Sequence, residues 1–368
     1  MKKLPKPLDL SRVKVFPIRE RESKSIIDEI LVDPDGPPPA LPSEIERQVK
    51  ECAQRIATAH KRNAGVMLLY GAHLIKNGGS RIMNRLMELG WVTHLGTNGA
   101  GTIHDWELAF HGMTEESVKQ NVATGTFGTW DETGKCIHLA LMAGALTEEG
   151  YGQSLGRMIA ENGVTLPSAV ALEQTLRAAP ADELSPARAD LLRAILKHKL
   201  PTGRIEVEHP WREHSVLGTA FRLGVPLTVH PGIGYDIIAN HPMFSGAVIG
   251  RAADMDFRLF GATVDTLDNG VVLSVGSAIM APQVFEKSLS CVNNLRLQDS
   301  RGVVRGHAFY VVDIQDGGNW DWSTGEPPKD NPAYYLRFCK SYSRMGGTMH
   351  YLELDNVAFL HNLYHLLK

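Results

Sequence analysis

A strand-like apolar run, VMLLYGAHLI at 66–75, is followed after one helical stretch by LGTNGAGTIHDWE at 95–107. This repetition constrains the fold more than any other feature of the chain. Each half reads as an apolar strand, a turn and a helix, and the second turn carries Gly96, Gly99 and Gly101. Glycines let backbone N–H groups approach a phosphate where a Cβ would clash, and a helix N-terminus favours negative charge. The spacing is not the GxGxxG of the dinucleotide fingerprint, so the local chemistry fits either a nucleotide site or a tight structural turn. Strand 66–72, helix 79–90, strand 92–96 and helix 103–110 together predict parallel strands joined by right-handed crossovers.

The same rhythm resumes late in the chain. Helix 213–223, strand 225–230, helix 253–263, strand 270–275, helix 281–294, strand 307–314, helix 332–343, strand 348–354 and a closing helix complete an α/β pattern. Helices at 137–160 and 168–200 interrupt it, as a helical insertion centred on about 151–200. Residues 1–45 are rich in proline, including Pro37, Pro38 and Pro39, and read as an extended N-terminal arm. Ser43 with Glu46 three residues on matches a capping box for the helix that follows. The expectation is one α/β domain over 46–368 with a doubly wound, mostly parallel sheet.

Composition sets the outer limits. A chain of 368 residues, 43% hydrophobic and 21% charged, can bury a large core, which excludes disorder for most of it. A net charge of −3 supplies no electrostatic footprint for nucleic acid or anionic lipid. No segment reads as a membrane span, and Cys52, Cys136, Cys291 and Cys339 lack CxxC spacing. No secretory signal is read at MKKLPKPLDL, so a reduced cytoplasmic setting is expected. His209, His214, His230 and His241 with Asp236 show neither HxH nor HExxH spacing, so no metal is expected. Ser80, Ser215 and Ser277 lack the GxSxG context of a nucleophile elbow. Trp320, Trp322, Tyr334, Tyr335 and Phe338 line a pocket for a cation or pack around a long loop.

Five blocks, taken in order, resemble one known family. HLIKNGGSRIMNRLMELGWVTHLGTNGAGTIHDWE (73–107), EHSVLGTAFRLGVPLTVHPGIGYDII (213–238), GSAIMAPQVFEKSLSCVNN (276–294), WDWSTGEPPKDNPAYYLRFCKSY (320–342) and MHYLELDNVAFL (349–360) are similar to segments of the deoxyhypusine synthase family. The resemblance implies a Rossmann-like fold, NAD as cofactor and a homo-oligomer, a tetramer as in the family. It implies an aminobutyl transferase acting on a polyamine or related small-molecule amine through a lysine imine, with Lys340 at the position of the imine-forming lysine. It places cofactor contacts at Asn77, Gly78, Thr97, Asn98, Gly99, Ala100, Gly101, Asp105 and Asp355. Asp105 also suits a charge at a helix start, and Asp355 a cap for the last helix.

On the substrate side the sequence departs from the family. No histidine stands in GSAIMAPQVF, and Phe338 replaces a tryptophan two residues before the lysine. The HPGIGYD loop keeps Asp236, and His230, His104, Asp321, Ser323 and Glu326 are the candidates to complete proton transfer and substrate binding. A lone histidine such as His230 equally suits a hydrogen-bonded structural role. A different NAD-dependent amine or imine reaction, or a nucleotide-binding regulatory protein, are the alternatives.

Overall fold

The structure, a computed structural model, describes residues 4–368. Six strands form the central sheet: β1 (Val66–Tyr70), β2 (His94–Thr97), β3 (Leu227–Val229), β4 (Val271–Val275), β5 (Ala308–Asp313) and β6 (Thr348–Glu353). Their spatial order is β6-β5-β4-β1-β2-β3, and every neighbouring pair is parallel. Helices cover both faces, so the central strands β1 and β4 are buried at every position rather than alternately. Leu68 and Tyr70 point into one core layer with Leu95, Leu273 and Tyr310. Met67 and Leu69 point the other way, against Phe260, Val272, Phe285 and Phe309. Each of these leucines is fully buried and contributes about 1.5–3 kcal/mol of transfer free energy.

Helices Ser43–Lys61, Ser80–Glu88, Gly99–His111 and Asn356–Leu367 supply the first layer. Helices Gly246–Val264, Met280–Gln298 and Arg337–Ser343 supply the second. The α/β, doubly wound, Rossmann-like expectation holds, and the winding direction reverses between β1 and β4. Ligands of open α/β sheets bind outside the carboxyl ends of the strands at such a reversal.

Several local expectations differ from what is observed. The arm is tied down rather than simply extended: Ser25–Ile26 pairs antiparallel with Met113–Thr114, and Phe16 bridges Trp130. Pro42 occupies the cap position of the helix Ser43–Lys61, without a side-chain capping bond. The insertion holds helices Tyr151–Glu161, Ala169–Ala178 and Ser185–His198, with an antiparallel pair, Gly163–Leu166 and Gly203–Glu206, that the helical reading of this region missed. The expected helix 332–343 is broken at Leu336 into a short 3-10 turn and the helix Arg337–Ser343. Among the described residues no helix is long and apolar enough to cross a membrane.

Candidate functional site

At the reversal two glycines pack against each other. Gly71 follows β1 and Gly276 follows β4, and a Cβ on Gly71 would overlap the Gly276 carbonyl oxygen. Gly276 has φ of 60°, a conformation that favours glycine. Around it, Ser277 Oγ and Asn356 Oδ1 are buried without hydrogen-bond partners. Asn356 packs its amide against Gly276 from the start of the last helix. Unpaired buried polar atoms at the carboxyl ends of the strands suit a ligand rich in hydrogen-bonding groups.

Beside the glycine turn after β2 lies a cavity of about 280 Å³, with Ala100, His104 and Asp236 in its wall. Its other charged residues are Arg21, Lys76, Glu107, Glu115 and Glu116. Most of this charge is already paired. Arg21 and Glu107 form an ion pair at 2.7 Å with both side chains 1% exposed, and Lys76 meets Glu115 at 3.3 Å. Glu116 accepts hydrogen bonds from Trp130 Nε1, Asn121 Nδ2 and Gly128 N. Burial pushes the Asp236 carboxyl up to about 6, although Gly232 N–H donates to it at 2.8 Å. His104 is held below its ordinary value, first by burial, and is hydrogen-bonded to Thr114 at 2.8 Å.

At the other end of the same edge, beyond β5 and β6, lies a larger cavity of about 800 Å³. Glu353 reaches it from the end of β6, and Asp316, Trp320, Asp321, Trp322 and Ser323 from the loop after β5. Glu44 and Glu51 on the opposing helix are bridged by Arg47, at 2.5 and 2.6 Å. Bonds from Ser323 N–H and Oγ hold the Asp321 carboxyl below the usual range, so it is ionised at neutral pH. Excess carboxylate charge beside indole faces favours a cation.

The expected site residues are thus divided. Ala100, His104 and Asp236 share one cavity, and Asp321 and Ser323 share the other. Lys340 lines neither. Its ammonium sits 3.7 Å from the centre of the Tyr334 ring. Phe338 is buried in the core beside Tyr351, and Glu326 is ion-paired with Arg344. Asp105 accepts from Ser215 Oγ, Val216 N and Leu217 N at 2.7 to 2.9 Å, which secures the start of the helix Val216–Leu223. Asp355 caps the last helix through Ala358 N at 2.8 Å. Asn77 is exposed, and Gly78 is packed on the backbone of Ile30 in the arm.

The glycine turn is shaped by protein neighbours. A Cβ at Gly96 would meet Leu69 and Phe260, one at Gly99 the Asp236 carboxylate, and one at Gly101 the Thr97 hydroxyl. Thr97 donates to Tyr70 O, and Asn98 caps the helix by accepting from Gly101 N at 2.9 Å. His230 is 9% exposed, packed edge-on against Phe260 and hydrogen-bonded to Thr228. Burial lowers it to about 4, so it is neutral at pH 7. Among the described residues no cluster of ligating side chains is arranged for a metal. Gly71, Ser277 and Asn356 escaped the sequence reading as site residues. The one available signal was that Gly71 and Gly276 each directly follow a strand-like run, VMLLY and VVLSV.

No family profile and no curated protein matches the chain. Among solved structures it is similar to ArgZ, an arginine dihydrolase from the ornithine-ammonia cycle in cyanobacteria, at 14% identity and a TM-score of 0.41, over 88% of this chain and 33% of that one. It is also similar to a conserved LOR/SDH protein from Methanococcus maripaludis S2, at 14% identity and 0.42, over 96% and 74%. A third is AgrE in ternary complex with ornithine and NAD+, at 14% and 0.40, over 89% and 34%. The chain spans about a third of the length of ArgZ.

The resemblance to deoxyhypusine synthases is corrected here: no family profile matches the chain, and Lys340, the lysine on which the resemblance depended, lines neither cavity. The aminobutyl-transfer reading, with its polyamine donor and its imine on Lys340, falls with it. The physical reason is that strand, turn and helix blocks in this order are what any doubly wound sheet produces.

Proposed function

We propose that this chain is an NAD-dependent enzyme acting on a small organic cation of the amine or amino-acid class. The observation that carries the reading is the reversal between β1 and β4, where Gly71 and Gly276 pack together and Ser277 Oγ and Asn356 Oδ1 beside them lack partners. The dinucleotide would lie across that reversal, and Ser277 and Asn356 would hydrogen-bond it. Bound there, NAD supplies a hydride acceptor. The chain's own residues do the selecting: Asp321, Asp316 and Glu353 hold the positive charge of the substrate, and Trp320 and Trp322 cover its apolar part. A departure from the usual dinucleotide pattern supports no carboxylate after β2 as the ribose partner. Thr97 and Asn98 stand at that strand end, and Asp105 is committed to the next helix.

Titration calorimetry with NAD+ and NADH tests the reading. Saturable binding is expected, weakened about tenfold or more when Ser277→Asp or Asn356→Asp sets a negative charge beside the diphosphate. Absence of binding for both redox forms would overturn it. The substrate side is checked by adding basic amino acids and simple amines with NAD+ and following NADH absorbance, with Asp321→Asn raising KM for whichever cation turns over.

A further inference from the structure

The cavity of about 280 Å³ beside the glycine turn holds two acceptors that the fold leaves free. His104 is one of them. The Thr114 hydroxyl donates its one proton to Glu107 Oε2 at 2.6 Å, so toward His104 it can only accept, from Nδ1–H at 2.8 Å. Burial keeps the ring neutral at pH 7, so Nε2 carries a lone pair, and among the described residues it meets no donor. Asp236 is the other. Its carboxylate stands where a Cβ on Gly99 would lie, Oδ2 accepts from Gly232 N at 2.8 Å, and Oδ1 has no partner among the described residues. Ile103, Val118, Phe127 and Ile237 make the apolar part of the wall.

Lys76, Ala100 and Asp236 bring this wall from the segments after β1, β2 and β3, whereas the acidic cavity lies beyond β5 and β6. The reversal between β1 and β4 stands between the two, so a dinucleotide crossing it has one half on each side. Resting on the cofactor reading above, we infer that the adenosine half occupies the cavity beside the glycine turn, with its ribose hydroxyls donating to Asp236 and the adenine amino group donating to His104 Nε2. Asp236 then supplies, from the loop after β3, the ribose carboxylate that the end of β2 lacks. The apolar wall takes the faces of the ring, and the nicotinamide is left on the side where the substrate cation is held. The cavity also rejects a phosphate on that ribose. Arg21 is held by Glu107 and Lys76 by Glu115, so neither cation of the wall is free to receive it, and the carboxylates of Asp236 and Glu116 repel the added charge.

Titration calorimetry on the full chain, with NAD+, NADP+ and ADP-ribose as probes, is the test. NAD+ is expected to bind at least about tenfold more tightly than NADP+. Asp236→Asn should weaken NAD+ about tenfold, through loss of hydrogen bonds to a charged acceptor, and narrow its margin over NADP+. Ala100→Phe, which fills the cavity from the helix start, and His104→Leu should weaken NAD+ and ADP-ribose by the same factor. Asp236→Asn removes a buried carboxyl and keeps the fold, so its result stands even where a bulkier variant unfolds. If NAD+ binds but NADP+ binds equally well, or neither Asp236→Asn nor Ala100→Phe changes the affinity, the inference is overturned while the cofactor reading survives. A loss seen with NAD+ and absent with ADP-ribose places the nicotinamide half in the cavity and overturns it as well. Absence of binding for every probe overturns both.

Discussion

Arg21 enters the core from the N-terminal arm, and its substitution exposes how the arm is held over the cavity beside the glycine turn. Its guanidinium meets Glu107 at 2.7 Å with both side chains 1% exposed. Glu107 also accepts from Thr114 Oγ1 at 2.6 Å and Thr133 Oγ1 at 2.9 Å. Burial pushes the Glu107 carboxyl up, but the adjacent Arg21 outweighs it, and the group ends below its ordinary value. Removing one partner of a buried ion pair costs about 3–5 kcal/mol. Because two hydroxyls still serve the carboxylate, Arg21→Met should fall at the lower end, about 3 kcal/mol. A depressed carboxyl pKa contributes stability that is complete above the unfolded value and is lost as pH falls through the folded one. The difference between wild type and Arg21→Met should therefore be full at pH 7 and shrink below about pH 4.5. Arg21→Met with Glu107→Gln should recover about 2 kcal/mol, since no uncompensated charge remains. Urea unfolding followed by circular dichroism at the two pH values measures all three variants. A loss under about 1 kcal/mol at pH 7, or one that acid leaves unchanged, would refute the reasoning.

Three further outcomes follow from named contacts. Asp236 carries a carboxyl raised to about 6 by burial, so its stabilising proton is fully present below the unfolded value and is lost as pH rises through the folded one. Asp236→Asn should gain up to about 3 kcal/mol over wild type between pH 4 and pH 7, and a flat difference across that window in denaturant unfolding refutes the assignment. Asp105→Ala strips the acceptor from three buried donors and should cost about 3 kcal/mol. Calorimetric NAD+ affinity of the folded fraction should be unchanged, and its loss would return Asp105 to the cofactor. Leu69→Ala opens a hole between β1 and Phe260 and should lower stability by about 2–5 kcal/mol in the same unfolding assay.

The sheet was legible because strands buried on both faces are largely apolar, as Val66–Tyr70 is throughout and Val271–Val275 is at every position but Ser274. Helix ends were less so. The helix Gly246–Val264 begins seven residues before its expected start, because Ser245 caps it through Val248 N, a local signal hidden behind GAVIG. The helix Gly99–His111 likewise begins at the cap Asn98, inside the turn rather than after it.

The candidate site was legible only in pieces, and the reason lies in what a glycine conceals. Gly96, Gly99 and Gly101 each lack a Cβ because a neighbour occupies its place, and in sequence that neighbour is indistinguishable from a phosphate. Here it is Leu69, Asp236 and Thr97. Gly71 and Gly276 carry the same signature, but they meet across two strands far apart in the chain, so their pairing exists only in the fold. Lys340 fails for the complementary reason. Phe338, Cys339 and Tyr342 turn inward on a helix that begins at Arg337, and that phase turns Lys340 out toward Tyr334. Had the helix run unbroken from Pro332, the phase at residue 340 would have rested on a longer apolar stripe. The break at Leu336 resets it, and with it the direction of the side chain on which the resemblance depended most.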